Sequence, residues 1–247
     1  MSVLELQISN DGKDRGRVLI NRDTVGSYAR VTPAVISLTK HFMPERRRVE
    51  AFIEKIYAEK YGAKLDTHYP YLMSARDASG KILAAIGFRL AKDEPLFLEH
   101  YLDNSIEQDI SNSLCRKVKR AEIAELGSLA SEGHGATFFL FMVLADYLKS
   151  QGLSYATITG TRVLKRFFGH LGLDPRQLAK AEKMRLPCQG EHWGSYYDKA
   201  PQVLFGDIAA GCRLLPVDYK GSAGIANDVE PQPLYSRLHQ PLIGAAK

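Results

Sequence analysis

Cysteine is scarce in this chain of 247 residues, which has only Cys115, Cys188 and Cys212. These positions are widely spaced and form no Cys-x-x-Cys pair, so the sequence predicts neither a disulfide framework nor a zinc site. The seven histidines also lack metal-ligand spacing. We therefore expect no bound metal, and the unpaired thiols favour a cytoplasmic location, where thiols stay reduced.

Long hydrophobic runs are missing too. The most apolar stretch, residues 136–148, includes Asp146 and is shorter than the about 20 residues that a membrane-spanning helix needs. Residues 1–9 lack the basic start and the apolar centre of a signal peptide. The sequence therefore predicts a soluble chain without integral membrane association.

Two common nucleotide-binding patterns are absent from the glycine-containing turn at residues 131–137, which reads Ser-Glu-Gly-His-Gly-Ala-Thr. It lacks the third glycine of a dinucleotide fingerprint and the Gly-Lys-Ser/Thr of a P-loop. The turn joins a strand-like run to an apolar helix. Amides at a helix start point one way, at the positive end of the helix dipole, which predicts an anion site. The alternative is a turn that only connects the two elements.

Composition bounds the organisation of the chain. With 45% hydrophobic and 25% charged residues, we expect one globular domain at residues 44–215, between an accessory segment at 1–43 and an extended tail at 216–247. The net charge of +5 and the pI of about 9.0 suit an acidic partner, such as a phosphorylated cofactor, an acyl carrier protein, a lipid headgroup or nucleic acid. The charge alone does not choose among these.

Hydrophobic periodicity predicts helices and strands in alternation, hence an α/β fold with a mixed sheet and helices on both of its faces. The predicted helices are 44–61, 96–110 (a helix or helical turn), 136 to the Gly152 stop, and 162–170. The predicted strands are 71–76, 81–90, 121–130, 153–159, 193–197 and 202–205.

This order, with the Gly133-His134-Gly135-Ala136 turn, resembles the GNAT-type acyltransferases, whose signature is Gln/Arg-x-x-Gly-x-Gly/Ala between the fourth strand and a long helix. The run from Phe167 to Leu173 is similar to the Phe-Tyr-x-x-x-Gly-Phe region of that family. The resemblance implies a GNAT-like fold whose turn amides hold the pyrophosphate of acyl-CoA or the phosphopantetheine of an acyl carrier protein. The residues implied to bind this cofactor are Ala130, Ser131, Gly133, His134, Gly135, Ala136, Thr137 and Arg162.

Two narrower resemblances follow. Residues 71–77, 87–90 and 125–130 are similar to the central hairpin and the Glu-Leu-Ser-Arg-Phe-Ala strand of acyl-homoserine-lactone synthases. The nearest match is the thermostable hemolysin family, whose pattern residues 94–103, 125–130 and 193–197 resemble, within roughly residues 44–206. That family's name records a haemolytic phenotype, whereas the fold implies acyl transfer.

Three positions depart from the patterns of these families. Ala130 stands where GNAT enzymes have the Gln or Arg of the signature, and Phe168 stands where a tyrosine often serves as general acid. Ser128 occupies the place of the strand arginine of the synthases. We keep Ser128 with Glu125 and Arg89 as the expected catalytic set.

Glu125 is the carboxylate nearest to the glycine turn and is our predicted general base. Partial burial would raise its pKa towards neutrality, which suits that role. The alternative is that Glu125 is only a structural partner of Arg89 across the sheet, and Arg89 itself either pairs with Glu125 or holds a substrate carboxylate. Glu122 points to the opposite face by strand alternation, so it cannot line the same site.

For the acceptor we name Glu99, Tyr101 and Trp193 as substrate-binding residues. Glu99 and Asp103, expected one helical turn apart, either hold an amine or form a solvated face. Ser195 lacks a histidine and acid pattern that would make it a nucleophile.

The leading hypothesis is an enzyme that transfers an acyl group from acyl-CoA or an acyl carrier protein to a small amine. The carrier would dock on the basic cluster, defined as Arg116, Lys117, Lys119 and Arg120, and on the Lys165-Arg166 pair; neither nucleic acid nor an integral membrane contact is expected. The alternatives are a membrane-active haemolysin and a catalytically inactive module that binds acyl groups or CoA.

Overall fold

The computed structural model describes residues 3–10, 13–21, 31–65, 69–133, 135–214 and 218–220. Within these ranges, ten strands form one mixed sheet in the order β10-β2-β1-β3-β4-β5-β6-β7-β9-β8. The strands are β1 Val3–Asn10, β2 Lys13–Asn21, β3 Val35–Lys40, β4 Tyr71–Arg76, β5 Ile82–Leu90, β6 Ile123–Ser131, β7 Tyr155–Gly160, β8 Arg176–Lys180, β9 Gln202–Asp207 and β10 Asp218–Lys220. The helices are α1 Pro44–Tyr61, α2 Ile106–Leu114, α3 Ala136–Ser150, α4 Arg162–His170 and α5 Ile208–Leu214.

Helices cover both faces of the sheet, as the sequence predicted. Helix α1 begins with Pro44 at a position that needs no N–H donor and ends at Gly62, whose φ is 62°. Its buried side chains share an apolar cluster with Leu72 and Ala85 of the central strands. Helix α3 is buried on nearly all sides and packs against the other face. The expected α/β architecture is therefore confirmed.

The hairpin between β4 and β5 also follows its sequence signal. The Asp77 carboxylate accepts hydrogen bonds from the backbone N–H groups of Ser79 and Lys81, both at 2.9 Å. Gly80 takes the left-handed conformation that the turn requires, with φ at 83°. The two strands that this turn joins carry Arg89 and one wall of the site.

Strands β6 and β7 run parallel but separate before they end. They pair over four positions only, from Ile123 opposite Tyr155 to Leu126 opposite Ile158. On its other side, β6 bulges against β5, because Gly127 pairs with Gly87 and Ala130 with Ala85, which leaves two residues opposite one. We call the gap beyond Leu126 and Ile158 the β6–β7 opening.

The predicted helix at residues 96–110 is wrong in its extent. A 3₁₀ turn, Phe97–Tyr101, is followed by Leu102 in an extended conformation, and only then does α2 begin. Glu99 and Asp103 therefore do not lie one helical turn apart. The Glu99 side chain breaks the continuity, since it accepts the N–H groups of Leu96 and Ile106 at the two ends of this segment.

The predicted strand at residues 193–197 is also wrong. This segment lies in two 3₁₀ turns, Pro187–Trp193 and Tyr196–Lys199, joined at Gly194, whose φ of 52° and ψ of −130° interrupt any strand. The edge strand of this region is instead β8, which pairs with β9. Its charged residues gave no strand signal.

The terminal segments contribute strands to the same sheet. β1 pairs with β2 and, in parallel, with β3, which in turn pairs with β4 of the central region. β10 adds to the far edge beside β2. The remainder of the expected tail, residues 216–217 and 221–247, lies outside the described residues. The division of the chain at residues 44 and 215 stays a prediction.

Candidate active site

Glu125 is the third residue of β6, on the sheet face that α1 covers. It is 1% exposed, and its carboxylate accepts the backbone N–H of Phe97 at 2.8 Å and that of Leu98 at 3.0 Å. The Tyr69 hydroxyl donates to the same carboxylate at 3.3 Å. The 3₁₀ turn at Phe97 is thus the element that fixes the carboxylate, because its first amides have no partner within the turn.

Arg89 pairs with Glu125 across the sheet. This pairing is one of the two alternatives that the sequence left open for Arg89. The two residues are register partners on β5 and β6, and Arg89 Nε lies 3.4 Å from Glu125 Oε2. Arg89 also lies 3.7 Å from the Glu94 carboxylate. Its charge is therefore shared between two acids.

The ion pair does not make Glu125 a poor base. Burial raises the pKa of Glu125 to about 7, although Arg89, the two amide N–H groups and the Tyr69 hydroxyl each act to lower it. Desolvation of a carboxylate outweighs these partners because the guanidinium contact is long and shared. A group with a pKa near neutrality can both take and release a proton at physiological pH.

This pKa predicts a pH dependence of stability. Because the folded pKa is raised from 4.5 to about 7, the stabilising contribution of Glu125 is complete below about pH 4.5 and is lost as the pH rises through 7. Between about pH 5 and pH 8, the wild-type protein should lose about 2 to 3 kcal/mol relative to Glu125→Gln. Chemical denaturation of both proteins at the two pH values measures this difference. A constant difference would mean that Glu125 titrates normally.

Tyr69 covers two glycines beside Glu125. A Cβ atom on Gly87 would lie 2.7 Å from Tyr69 Cγ, and one on Gly127 would overlap with the Tyr69 hydroxyl. The Arg89 guanidinium lies over the same ring, 4.5 Å from its centroid. The hydroxyl of Tyr69 therefore lies at the point where the β6–β7 opening begins. The sequence did not single out this residue.

The glycine turn after β6 has the shape of an anion site. Gly133 and Gly135 both have positive φ, at 100° and 88°, and no side chain caps the start of α3. Phe138 N–H closes the first helical bond to Gly135, so the amides of Ala136 and Thr137 precede the helical ladder. The Ser131 hydroxyl accepts the Gly133 N–H at 3.0 Å and shapes the turn. His134 lies outside the described residues.

The charged groups around this turn favour the binding of an anion. Glu132 is paired with Lys81 at 2.6 Å, and Lys60 of α1 donates to the Ser131 carbonyl at 2.8 Å. The Lys60 ammonium adds a positive charge that sequence reasoning missed, because it comes from a distant helix. Arg162, exposed at the start of α4, follows β7 at the same edge of the sheet as the turn.

Ala130, Ser128 and Phe168 occupy different surroundings. Ala130 is 1% exposed and belongs to the α1-side cluster, so its side chain does not face the turn. Ser128 has a φ of 48° and forms the bulge that separates the strands. Phe168 packs against Phe141 at 5.0 Å on the α3 side. Ser128 is therefore placed to shape the opening, while its catalytic role stays a prediction.

An apolar cavity of about 330 Å³ lies on the α3 face. Leu126 and Ile158, the last paired residues of β6 and β7, both line it. Glu125 does not line it, since it projects from the other face of the sheet. The cavity and the Glu125 carboxylate therefore lie on opposite faces of the sheet. Further lining residues are Phe141, Leu144, Leu148, Phe168, Leu171 and Leu204.

Glu99 is corrected as an acceptor-binding residue. Its carboxylate pairs with Arg120 at 2.6 Å; burial acts to raise its pKa, but Arg120 and the amides of Leu96 and Ile106 lower it to about 2. Asp103 pairs with Arg185 instead. Glu99 holds together the segment that presents the Phe97 turn to Glu125, so its effect on the site is indirect.

Tyr101 and Trp193 belong to an aromatic cluster between the Phe97 turn and α1. Tyr101 is 1% exposed, and its hydroxyl bonds to that of Tyr197 at 2.5 Å; its role in substrate binding stays a prediction. Trp193 is half-buried and its ring lies 5.7 Å from that of Phe97. Trp193 thus remains a predicted acceptor-binding residue.

The basic cluster is only partly directed to solvent. Arg120 pairs with Glu99 and Glu107, and Arg116 contacts the Tyr155 hydroxyl and ring. Lys117 and Lys119 are exposed. This corrects the placement of Arg120 in a docking surface, because its guanidinium stabilises the interior of the fold.

No helix within the described ranges combines the length and the apolar character needed to cross a membrane. In the same part of the chain, no group of three or more His, Cys, Asp or Glu side chains is arranged to hold a metal ion.

Comparison with solved structures shows the fold. The apo form of TofI superimposes with a TM-score of 0.51 at 15% identity, covering 74% of this chain and 97% of TofI. FeeM, an N-acyl amino acid synthase from uncultured soil microbes, gives a TM-score of 0.48 at 13% identity, covering 73% and 94%. The acyl-homoserine-lactone synthase LasI gives 0.47 at 13%, covering 70% and 89%. The likeness to TofI shows that this chain shares its mixed α/β fold.

A search of curated proteins finds no match to this chain. The family model described as thermostable hemolysin matches residues 39–212, which agrees with the extent that the sequence patterns indicated. The chain therefore belongs to the thermostable hemolysin family.

Proposed function

We propose that this protein is an acyltransferase that moves an apolar acyl group from a CoA or carrier-protein thioester to a small amine. The observation that carries the proposal is the β6–β7 opening. It has a carboxylate with a pKa near 7 on one face of the sheet, an apolar cavity on the other, and an anion-binding turn at its end.

The donor would lie along this path in three parts. Its phosphates bind the amides at the start of α3, where the helix dipole favours negative charge. Its pantetheine arm enters the opening, where the unpaired edges of two strands offer hydrogen-bonding groups to its amides. The acyl chain then passes Leu126 and Ile158 into the cavity.

The cavity sets the class of acyl chain. Its lining is almost wholly apolar, so burial of methylene groups there is favourable. A dry cavity of about 150 Å³ holds benzene. By that proportion, a cavity of about 330 Å³ holds on the order of a dozen carbon atoms, so medium-chain donors should be preferred over acetyl.

Glu125 would act as the base for the amine. Its 1% exposure keeps bulk water away, and the Tyr69 hydroxyl, which bonds to it at 3.3 Å, lies over Gly127 at the start of the opening. The amine proton passes to Glu125 through this hydroxyl as nitrogen attacks the thioester carbon. Glu125 thus carries the proton while the C–N bond forms and the C–S bond breaks.

The anion site predicts an effect at one end of α3 only. Gly135→Ala should raise the donor KM about tenfold, because a Cβ atom blocks the approach of phosphate to the amides. Gly152→Ala is the matched control. Gly152 lies beyond the other end of α3 with a φ of 79°, close to the 88° of Gly135, so both variants carry similar backbone strain. Equal KM values for the two variants would contradict the site.

Release of free thiol tests the function as a whole. Purified protein is mixed with acyl-CoA and acyl-carrier donors of graded chain length and a panel of small amines, and thiol release is followed together with product mass. We expect amine-dependent release that is greatest with medium chains. Release that does not depend on an amine, or no release with any donor, would refute the proposal.

The family's haemolytic name is compatible with this chemistry. A product with one apolar chain and one polar head is amphiphilic, and such molecules insert into membranes. A haemolytic effect would then need donor and amine in the assay. Lysis by the purified protein alone would favour the membrane-active alternative.

A further inference from the structure

The transfer proposed above leaves a thiolate that needs a proton, and Phe168, at the position of the usual GNAT tyrosine, has none to give. We propose that the Tyr196 hydroxyl is the catalytic acid that protonates the departing sulfur. This inference rests on the proposed function and adds a residue from a different part of the chain. Tyr196 comes from the 3₁₀ turn Tyr196–Lys199 rather than from α4.

Tyr196 lies across the β6–β7 opening. Its hydroxyl donates to the Thr159 carbonyl at 3.2 Å, and Thr159 is the first residue of β7 beyond the last pair with β6. Its ring belongs to the same buried cluster as Ala130, on the diverging part of β6. The hydroxyl is therefore close to the edge of β7 that a β6 partner would otherwise fill.

A second polar group marks the same place. The Thr159 Oγ1 atom is buried and has no hydrogen-bond partner among the described residues. Buried hydroxyls without a partner are rare and call for a ligand or an ordered water. Glu125 is the register partner of Thr157, so Thr159 lies two residues, or roughly 7 Å, further along β7. This spacing leaves room for a thioester between the base and the acid.

The segment that carries Tyr196 is fixed to the end of α1. Ser195 N–H donates to the Tyr61 carbonyl at 2.8 Å. A Cβ atom on Gly194 would overlap with that carbonyl and lie 3.0 Å from the Gly62 carbonyl, so only glycine allows this approach. The Tyr196 ring also packs edge-on against Tyr61 at 5.3 Å. The hydroxyl is thus held in place before any ligand binds.

Glu125 and Tyr196 together account for both proton transfers of the reaction. The amine nitrogen bonds to the thioester carbon and releases its proton to Glu125, while the C–S bond breaks and sulfur takes the Tyr196 proton. The products are an amide and a free thiol. A proton transfer from Glu125 to the Tyr196 phenolate, through water or Tyr69, then restores both groups. Burial, with the nearby tyrosines, raises the pKa of Tyr196 well above its usual value, so it is protonated when the donor binds.

The hydroxyls of Tyr69 and Tyr197 each bond to another side chain, whereas that of Tyr196 donates to the Thr159 carbonyl beside the opening. Tyr69 donates to Glu125, and Tyr197 bonds to Tyr101 at 2.5 Å. Tyr197 lies in the same aromatic cluster, with its ring 5.4 Å from that of Tyr196. Tyr197→Phe therefore removes a hydroxyl from the same cluster without touching the opening, which makes it the matched control.

The test measures how the loss of the hydroxyl depends on the leaving group. Tyr196→Phe should lower kcat about a hundredfold with an acyl-CoA donor, the typical size of a general-acid contribution. With an S-aryl thioester of the same chain, whose thiolate leaves without a proton, the loss should shrink to about threefold or less. Tyr197→Phe should match the wild type with both donors. A purely structural role would slow both donors equally.

Each result decides the proposal. An active wild type with a folded Tyr196→Phe variant that is equally active, or equally slow with both donors, overturns the role of Tyr196 and leaves the acyltransferase proposal intact. An inactive wild type overturns both. If Tyr196→Phe does not fold, a ring-fluorinated tyrosine at position 196 keeps the ring and the hydroxyl but lowers the phenol pKa. The alkaline limb of kcat should then move to lower pH, and an unmoved limb overturns the proposal.

Discussion

Glu125→Gln should lower kcat for amine acylation by about 10²- to 10⁴-fold, the range typical of a positioned general base. The amide keeps the shape of the side chain, and its single oxygen can still accept one of the two N–H groups, that of Phe97 or that of Leu98, but it cannot take a proton at neutral pH. The donor KM should change little, because Glu125 does not line the cavity or the glycine turn. Steady-state thiol release with a fixed amine measures both constants.

The control for this variant is Glu122→Gln. Glu122 directly precedes β6, and its carboxylate accepts the Lys119 N–H at 2.7 Å, outside the site. It should leave kcat within about twofold of the wild type, as surface changes usually do. Full turnover by a folded Glu125→Gln protein would remove the base assignment and leave positioning by the sheet and the turn as the mechanism.

The pH profile of kcat in an Arg89 variant is a second test of the role of Glu125. Its charge acts to lower the pKa of Glu125, so Arg89→Gln should raise that pKa and move the acid limb of the kcat profile to higher pH. If Arg89 instead holds a substrate carboxylate, the acceptor KM rises and the limb stays in place. The two alternatives for Arg89 are thus separated by a single pH series.

The parts of this site that are neighbours in sequence could be predicted, because short sequence patterns indicate them. A strand, a glycine turn and an apolar helix follow one another within 30 residues, and the register of β4 and β5 follows from the hairpin that joins them. Strand alternation does not apply to Glu122, because this residue ends the 3₁₀ turn Arg120–Glu122 before β6. To predict that Arg89 lies close to Glu125, it was enough to expect that their two strands are neighbours in the sheet.

Two groups of the proposed mechanism could not be predicted in this way. Tyr69 is 56 residues from Glu125 in sequence, and nothing in its neighbourhood indicates that it covers two glycines. The segment around Tyr196 was predicted as a strand, and aromatic residues such as its Trp193, Tyr196 and Tyr197 are enriched in strands. Its true conformation depends on Gly194 against the end of α1, a tertiary contact that overrides local preference.

The bulge at Ser128 is a further tertiary feature. A residue with positive φ inside a strand, such as Ser128 at 48°, is uncommon and has no marker in the Gly-Ser-Leu sequence around it. Yet this bulge accompanies the separation of β6 from β7, and so the opening itself. The apolar cavity depends in turn on how α3, α4 and α5 pack over the sheet.

Gly127→Ala should destabilise the protein by about 3 kcal/mol, because a Cβ atom at this position overlaps with the Tyr69 hydroxyl and ring and lies 2.9 Å from Tyr69 Cε2. Tyr69 cannot move aside cheaply. It is 9% exposed, donates to Glu125 and lies beneath the Arg89 guanidinium. For a chain of this length the Tm should fall by about 6 to 12 °C, which differential scanning calorimetry measures.

A double-mutant cycle assigns this loss to Tyr69. In the Tyr69→Leu background the shorter side chain leaves room for the new methyl group, so Gly127→Ala should cost about 2 kcal/mol less than it does in the wild type. Gly206→Ala in β9 is the control, since a Cβ atom there meets nothing within 4 Å, and it should change stability by about 0.5 kcal/mol or less. Additive costs at Gly127 and Tyr69 would show that the two residues do not press on each other. The hydroxyl of Tyr69 would then lose its fixed place over the opening, and the proton path from the amine to Glu125 would have to run directly to the carboxylate.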